Sequence, residues 1–430
     1  MRASRRVLLD KADRMSAASA PARIKGSAPM ESRPMDLQGQ KVWTVQRASV
    51  WSCCLLASVL GCLACADDEA GSDDESVSQG DASAADVDAA AAVDAGGPDE
   101  SNQVDVAALK ATGLDKYLGA AKPSKTEDVG GETHYTFDEA DGPVCLRGVP
   151  FSMATRARDS EDLMIYLQGG GSCTTALCRA TEMANPTIPG YGVLNANDPE
   201  NPFADWNVVY SPYCDGSLHF GDSDIPDMNR KHHGLRNVSA SLDVAATQFP
   251  KPERVFLTGA SAGGYGTIWV TALVRLIYPD AKLYVFNDAG IAISNPASPD
   301  GFRSVLGEWG ADKFIPETCE DCRSMPHLTP WMSWNLKHDR GMKLTMFSAY
   351  EDSVIAGTFL MLEPSIFKDA LVTQTAAVVA TAPERAKRFL VNGTQHTVRD
   401  IHMTAVDGLS VGQWLQQMLD DDPAWDNVLQ

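Results

Sequence analysis

The residues with the clearest chemical spacing are Gly259-Ala260-Ser261-Ala262-Gly263-Gly264. Glycine two places either side of a serine, G-x-S-x-G, is the pattern of a hydroxyl carried on a sharp strand-to-helix turn. The pattern is weak alone and specific in context. The apolar run Arg254–Thr258 (RVFLT) leads into it, and residues 263–278 (GGYGTIWVTALVRLIY) stay apolar for four turns behind it. Small neighbours let such a turn press against adjacent backbone, and a helix N-terminus favours negative charge near the hydroxyl. A phosphate-binding loop is the rival reading, but no lysine follows the glycines. A glycine-rich turn without chemistry is the plain alternative.

A serine nucleophile needs two N–H donors for the oxyanion, a base, and an acid that orients the base. One donor is the amide of Ala262, directly after the serine. The second belongs on a loop after an earlier strand, and Leu163–Gln168 (LMIYLQ) opens into Gly169-Gly170-Gly171-Ser172-Cys173. Three glycines allow backbone N–H groups to turn inward with no Cβ in the way. The base follows in the order serine, acid, histidine. His396 stands just beyond the apolar run Arg388–Val391 (RFLV) and is preferred to His402. His327 and His338 lie in an aromatic, proline-containing stretch and read as lid or surface residues. Lys343–Phe347 (KLTMF) leads to Glu351 and Asp352; Asp352 is the preferred acid, with Asp288 and Glu351 as alternatives and a turn carboxylate as the plain reading of each.

These side chains require a sheet whose strands end on one edge. Besides the runs already named, Asn207–Tyr210 (NVVY) and Lys282–Asn287 (KLYVFN) are near-continuously apolar, as in strands covered on both faces. Residues 410–419 (SVGQWLQQML) place Val411, Trp414, Leu415, Met418 and Leu419 on one helical face, with Ser410 as N-cap. Strands alternating with helices predict an α/β, α/β-hydrolase-like fold: a mostly parallel sheet with helices on both faces and ligands at the strands' carboxyl ends.

The chain has 430 residues, 44% hydrophobic and 22% charged, which excludes a collagenous, disordered or polytopic membrane protein. Residues 1–66 hold ten Lys/Arg against four Asp/Glu, and 67–100 hold twelve Asp/Glu and no Lys/Arg. The whole-chain charge of −21 therefore leaves −15 on residues 101–430. That balance argues against a nucleic-acid partner. Within 1–66, Lys41 and Arg47 precede the apolar run 50–66 (VWSCCLLASVLGCLACA), a signal-peptide layout. Leu60-Gly61-Cys62 and Leu63-Ala64-Cys65 resemble bacterial lipoprotein processing sites, so Cys62 or Cys65 is a candidate lipidated membrane tether; an uncleaved anchor is the alternative. Met30 or Met35 are alternative starts. Residues 67–100 read as an acidic disordered linker. Residues 101–430 read as one catalytic domain, exported as a cell-envelope lipoprotein or secreted. Six cysteines remain there (Cys145, Cys173, Cys178, Cys214, Cys319, Cys322), enough for three disulfides in an oxidising compartment.

Together these residues resemble the pectin acetylesterases and their animal relative Notum, a carboxylesterase. The resemblance spans about residues 130–420. It rests on Cys145-Leu146-Arg147-Gly148, the YLQGGGSC run with Cys178-Arg179, Tyr213-Cys214-Asp215-Gly216 and His233-Gly234. It continues through the Gly259–Gly264 elbow, Asn287-Asp288-Ala289-Gly290, Asp352-Ser353 and His396. It implies a triad of Ser261, Asp352 and His396, oxyanion donors Gly170, Gly171 and Ala262, and no metal or organic cofactor. It implies deacetylation of a polysaccharide such as pectin. Two positions depart: Ser172 where the family often has Trp, and Gln168 where it often has an acidic residue. Both border the acyl site. The −15 charge also repels bare polygalacturonate within a Debye length of ~10 Å. A lipase- or protein-deacylase-type hydrolase on the same fold is therefore an alternative, favoured by a wide apolar pocket near Ser172. A non-catalytic surface binding protein is the other.

Overall fold

The computed structural model describes residues 104–430 except Pro299; the expected leader with Cys62 and Cys65 and the acidic stretch 67–100 lie outside the described residues. Ten strands make the central sheet: β1 (Lys125–Val129), β2 (Glu132–Thr136), β3 (Ser152–Arg156), β4 (Asp162–Leu167), β5 (Asn207–Ser211), β6 (Arg254–Ala260), β7 (Lys282–Asp288), β8 (Met342–Ala349), β9 (Ala386–Val391) and β10 (Val428–Leu429). Their order across the sheet is β1-β2-β3-β5-β4-β6-β7-β8-β9-β10. The pairs from β5–β4 through to β9–β10 are all parallel. The pairs among β1, β2, β3 and β5 are antiparallel. This is the mostly parallel, hydrolase-like α/β sheet expected from the sequence.

All six apolar runs became parallel strands, and their continuous hydrophobicity has a direct cause. Val255 and Leu257 of β6 enter one core with Trp269, Trp331 and Leu336, while Phe256 between them enters a second with Phe203, Trp206 and Trp414. Each face must be apolar because each is covered. The cover is unequal. Gly234–Gln248, Ala262–Ile277, Thr329–His338 and Pro364–Thr381 pack on the first face; the second has Val411–Leu419 and the loop 188–206. Val411–Leu419 starts as its sequence requires: Ser410 accepts from the Gln413 amide and the Gln413 side chain accepts from the Ser410 amide. Such a cap contributes about 1 kcal/mol.

The three antiparallel strands carry no comparable run. β1 (KTEDV) is exposed at every position and β2 (ETHYT) buries only Tyr135. An edge with solvent on it selects polar residues, so its pairing is invisible to hydrophobic periodicity. The six cysteines form Cys145–Cys214, Cys173–Cys178 and Cys319–Cys322. The first closes 69 residues, worth about 4 kcal/mol through the unfolded chain's lost freedom. The second pins the short hairpin of Gly171–Cys173 against Cys178–Ala180, directly after the glycine run.

Candidate active site

Ser261 stands between β6 and the helix Ala262–Ile277, at its N-cap position with φ 57°, ψ −117°. A non-glycine residue held there costs roughly 1–3 kcal/mol, so its neighbours must enforce it. They do so by hydrogen bonds and contact. The Ser261 amide donates to the Asp288 carbonyl (2.8 Å) and its carbonyl accepts from the Tyr265 amide (3.0 Å). Gly263 lies so close to β4 that an added Cβ would stand 1.9 Å from the Leu167 carbonyl oxygen. The glycines of the motif are thus demanded by backbone approaching backbone.

The glycine run lies against this turn. A Cβ on Gly169 would meet the Ala260 carbonyl at 2.4 Å and the Ser261 Cβ at 3.0 Å. The Gly170 carbonyl accepts from the Thr181 amide (2.8 Å). Across a planar trans peptide the Gly171 N–H must point the opposite way. The Gly171 carbonyl accepts from the buried Tyr213 hydroxyl (2.8 Å), which itself accepts from the Leu218 amide (3.0 Å). Gly171 has φ +82°, and a Cβ there would stand 1.9 Å from the Arg179 carbonyl. Gln168 is held at both ends of its residue: Oε1 accepts from the Tyr213 amide (3.0 Å) and its carbonyl bonds His219 Nε2 (2.9 Å). Burial keeps the His219 imidazole below its usual range.

Asp352 follows β8 and His396 follows β9. The Asp352 side chain is fully buried, and its Oδ1 accepts from the amides of Val354 and Ile355, both at 2.9 Å. His396 Nδ1 donates to the same carboxylate, 2.8 Å from Oδ2 and 3.0 Å from Oδ1. A carboxylate on Nδ1 selects the tautomer whose Nε2 carries the lone pair. That Nε2 is buried and has no hydrogen-bond partner, so Ser261 Oγ and His396 Nε2 are not bonded to each other here.

The rival side chains are engaged by other partners. His402 Nε2 bonds Asp198 (2.7 Å), His338 bonds Asp105 (3.1 Å) and His327 bonds the Thr329 hydroxyl (2.7 Å). Glu351 is exposed. Asp288 is buried and takes the Val398 amide on both oxygens, at 3.1 Å each. Burial pushes its carboxyl well above the carboxylate range, and the Asp352 charge adds to the shift.

Beside Ser261 and Ala262 opens a cavity of about 350 Å³. Gly171 and Ser172 border it, and Leu218, Tyr265, Phe302, Val305, Trp309, Ile355, Phe359 and Leu360 make it predominantly apolar. Sequence reasoning missed these wall residues. Ile355–Leu360 forms a π-helical turn directly after Asp352, which no local spacing announces.

Residues 126–326 match the family model described as Pectinacetylesterase. Over this segment the chain is similar to the pectin acetylesterases and Notum. It is 29% identical to pectin acetylesterase 4 of Arabidopsis thaliana over 181 residues, 37% of this chain and 44% of the relative. It is 28% identical to pectin acetylesterase 11 of the same plant over 203 residues, 42% and 52% of the two chains. Palmitoleoyl-protein carboxylesterase NOTUM of Schmidtea mediterranea is 28% identical over 142 residues, 30% of this chain and 27% of that one. The chain spans about half the length of the first two relatives. The pectinacetylesterase segment contains Gly170, Gly171, Ser261 and Ala262 and stops before Asp352 and His396. A hydrolase of carboxylic esters is the chemistry these relatives' names share, and the three disulfides suit an oxidising compartment.

Proposed function

We propose that residues 101–430 are an exported serine carboxylesterase. Ser261 Oγ attacks the ester carbonyl carbon while His396 Nε2 takes its proton. The amides of Gly170, Gly171 and Ala262 receive the oxyanion, and Asp352 holds the imidazole and balances its charge. The C–O bond then breaks, the leaving alcohol oxygen takes the proton from His396, and an acyl-Ser261 remains. Water, deprotonated by the same imidazole, attacks that acyl carbon and restores Ser261. The observation that carries the reading is the His396 imidazole donating through Nδ1 to a fully buried carboxylate, with its free Nε2 at the same sheet edge as the strained Ser261 turn. Catalytic hydrogen bonds are often long or poorly aligned before substrate enters and tighten in the complex. Residues 1–66 are read as the export signal, with Cys62 or Cys65 lipidated, and 67–100 as the acidic tether.

The family resemblance supports an acetylated polysaccharide as substrate. The cavity supports a second reading, an acyl group longer than acetyl. Its 350 Å³ is of drug-site size and several times the roughly 60 Å³, two water volumes, of an acetyl group. Nitrophenyl esters from acetyl to dodecanoyl, assayed beside acetylated pectin and xylan, test both. A kcat/KM maximum at acetyl with acetate released from glycan supports deacetylation; a maximum at six carbons or more supports the longer acyl group. No turnover on any ester rejects the esterase.

A further inference from the structure

We infer that Asp288 is a positioning residue that sets the distance between nucleophile and base, its carbonyl holding the Ser261 turn and its side chain the His396 loop. The inference rests on the triad proposed above. Asp288 is the last residue of β7, in register with Ala260 of β6 on one side and Phe347 of β8 on the other. Its carbonyl oxygen accepts from the Ser261 amide at 2.8 Å. Its two carboxyl oxygens both accept from the amide of Val398, two residues beyond His396.

The topology explains why such a link is needed. His396 follows β9, and β8 separates β9 from β7. The loop after β9 therefore reaches back across a whole strand to touch β7. Without a side chain to meet it, the buried Val398 amide would lose its partner and the loop would be free to shift. Catalytic groups tolerate displacements of only about 0.5 Å before rate falls. Asp288 is not the acid that orients the imidazole, because His396 Nδ1 bonds Asp352 and the Asp288 oxygens are committed to Val398. Burial pushes its carboxyl above the usual carboxylate range.

The test measures kcat and KM on a nitrophenyl ester for Asp288→Ala and Asp288→Asn, with Ser261→Ala in parallel and melting temperature for each. Asp288→Ala is expected to lose ~10–100-fold in kcat with KM within about twofold. Asp288→Asn, whose amide oxygen still accepts from Val398, is expected to return to within about threefold of the parent. If Asp288→Ala is not recovered folded, Asp288→Ser, too short to reach Val398, carries the same expectation. A truncated variant with parental kcat overturns the role. So does an Asp288→Asn that falls as far as Asp352→Asn, which would make Asp288 the orienting acid. Retained activity in Ser261→Ala instead overturns the triad, and this role with it.

Discussion

On the Ser261 side of the site the chain is held by backbone pressed on backbone, and on the His396 side by carboxylates. Gly169, Gly171 and Gly263 stand where a single added carbon would overlap a carbonyl at 1.9 to 2.4 Å. The loops after β8 and β9 contain no such contact at Gly357 or Gly393, where an added Cβ meets nothing within 4 Å. They are tied instead through Asp352 to His396, Val354 and Ile355, and through Asp288 to Val398. Steric enforcement suits a nucleophile that must sit in a strained conformation. Hydrogen-bonded loops suit a base that has to be set in one tautomer and still accept and return a proton.

The two halves should therefore break differently. Ser261→Ala removes the proposed nucleophile without touching either scaffold, so kcat on nitrophenyl esters should fall by ~10⁴–10⁶ while melting temperature holds. Asp352→Asn keeps an acceptor for the Val354 and Ile355 amides but loses the charge that sets the tautomer. It should cost roughly 10⁴ in kcat and about 1 kcal/mol of stability. Gly171→Ala is the contrasting case. It should lose ~10²–10³ in kcat through displacement of a proposed oxyanion donor and about 1–3 kcal/mol by denaturant unfolding. A stable, active Gly171→Ala beside an unfolded Asp352→Asn would invert the comparison.

The smallest effect concerns Asp288 and pH. Burial raises its folded pKa above the unfolded value of about 3.9. Between those two values the folded chain binds a proton that the unfolded chain has released, so stability falls as pH rises through the window. Asp288→Asn removes that term. The variant should melt higher than the parent at pH 7 and gain nothing at pH 3, where both states of the parent are protonated. A gain independent of pH would contradict the raised pKa.

Much of the fold was legible because the parallel strands are buried on both faces and so write their hydrophobicity without interruption. The serine turn was legible for a related reason: backbone overlap leaves glycine as the residue type that fits, and glycine is visible in a sequence. The antiparallel edge was not, since β1 exposes all five residues and obeys no burial pattern. The apolar cavity was not either, because its walls come from separated segments around Leu218, Phe302 and Phe359. Asp288 shows the limit most clearly. The sequence offers it as one of three carboxylates that could serve as the acid. What separates it from Asp352 is a hydrogen bond to a main-chain amide 110 positions away, and an amide has no letter of its own.

The most direct test labels the protein with a fluorophosphonate ester and locates the adduct by peptide mass, in the parent and in His396→Ala. The triad predicts one adduct, on Ser261, formed at least ~10³-fold more slowly without the imidazole. An adduct on another residue, or equal rates in the two proteins, would contradict it.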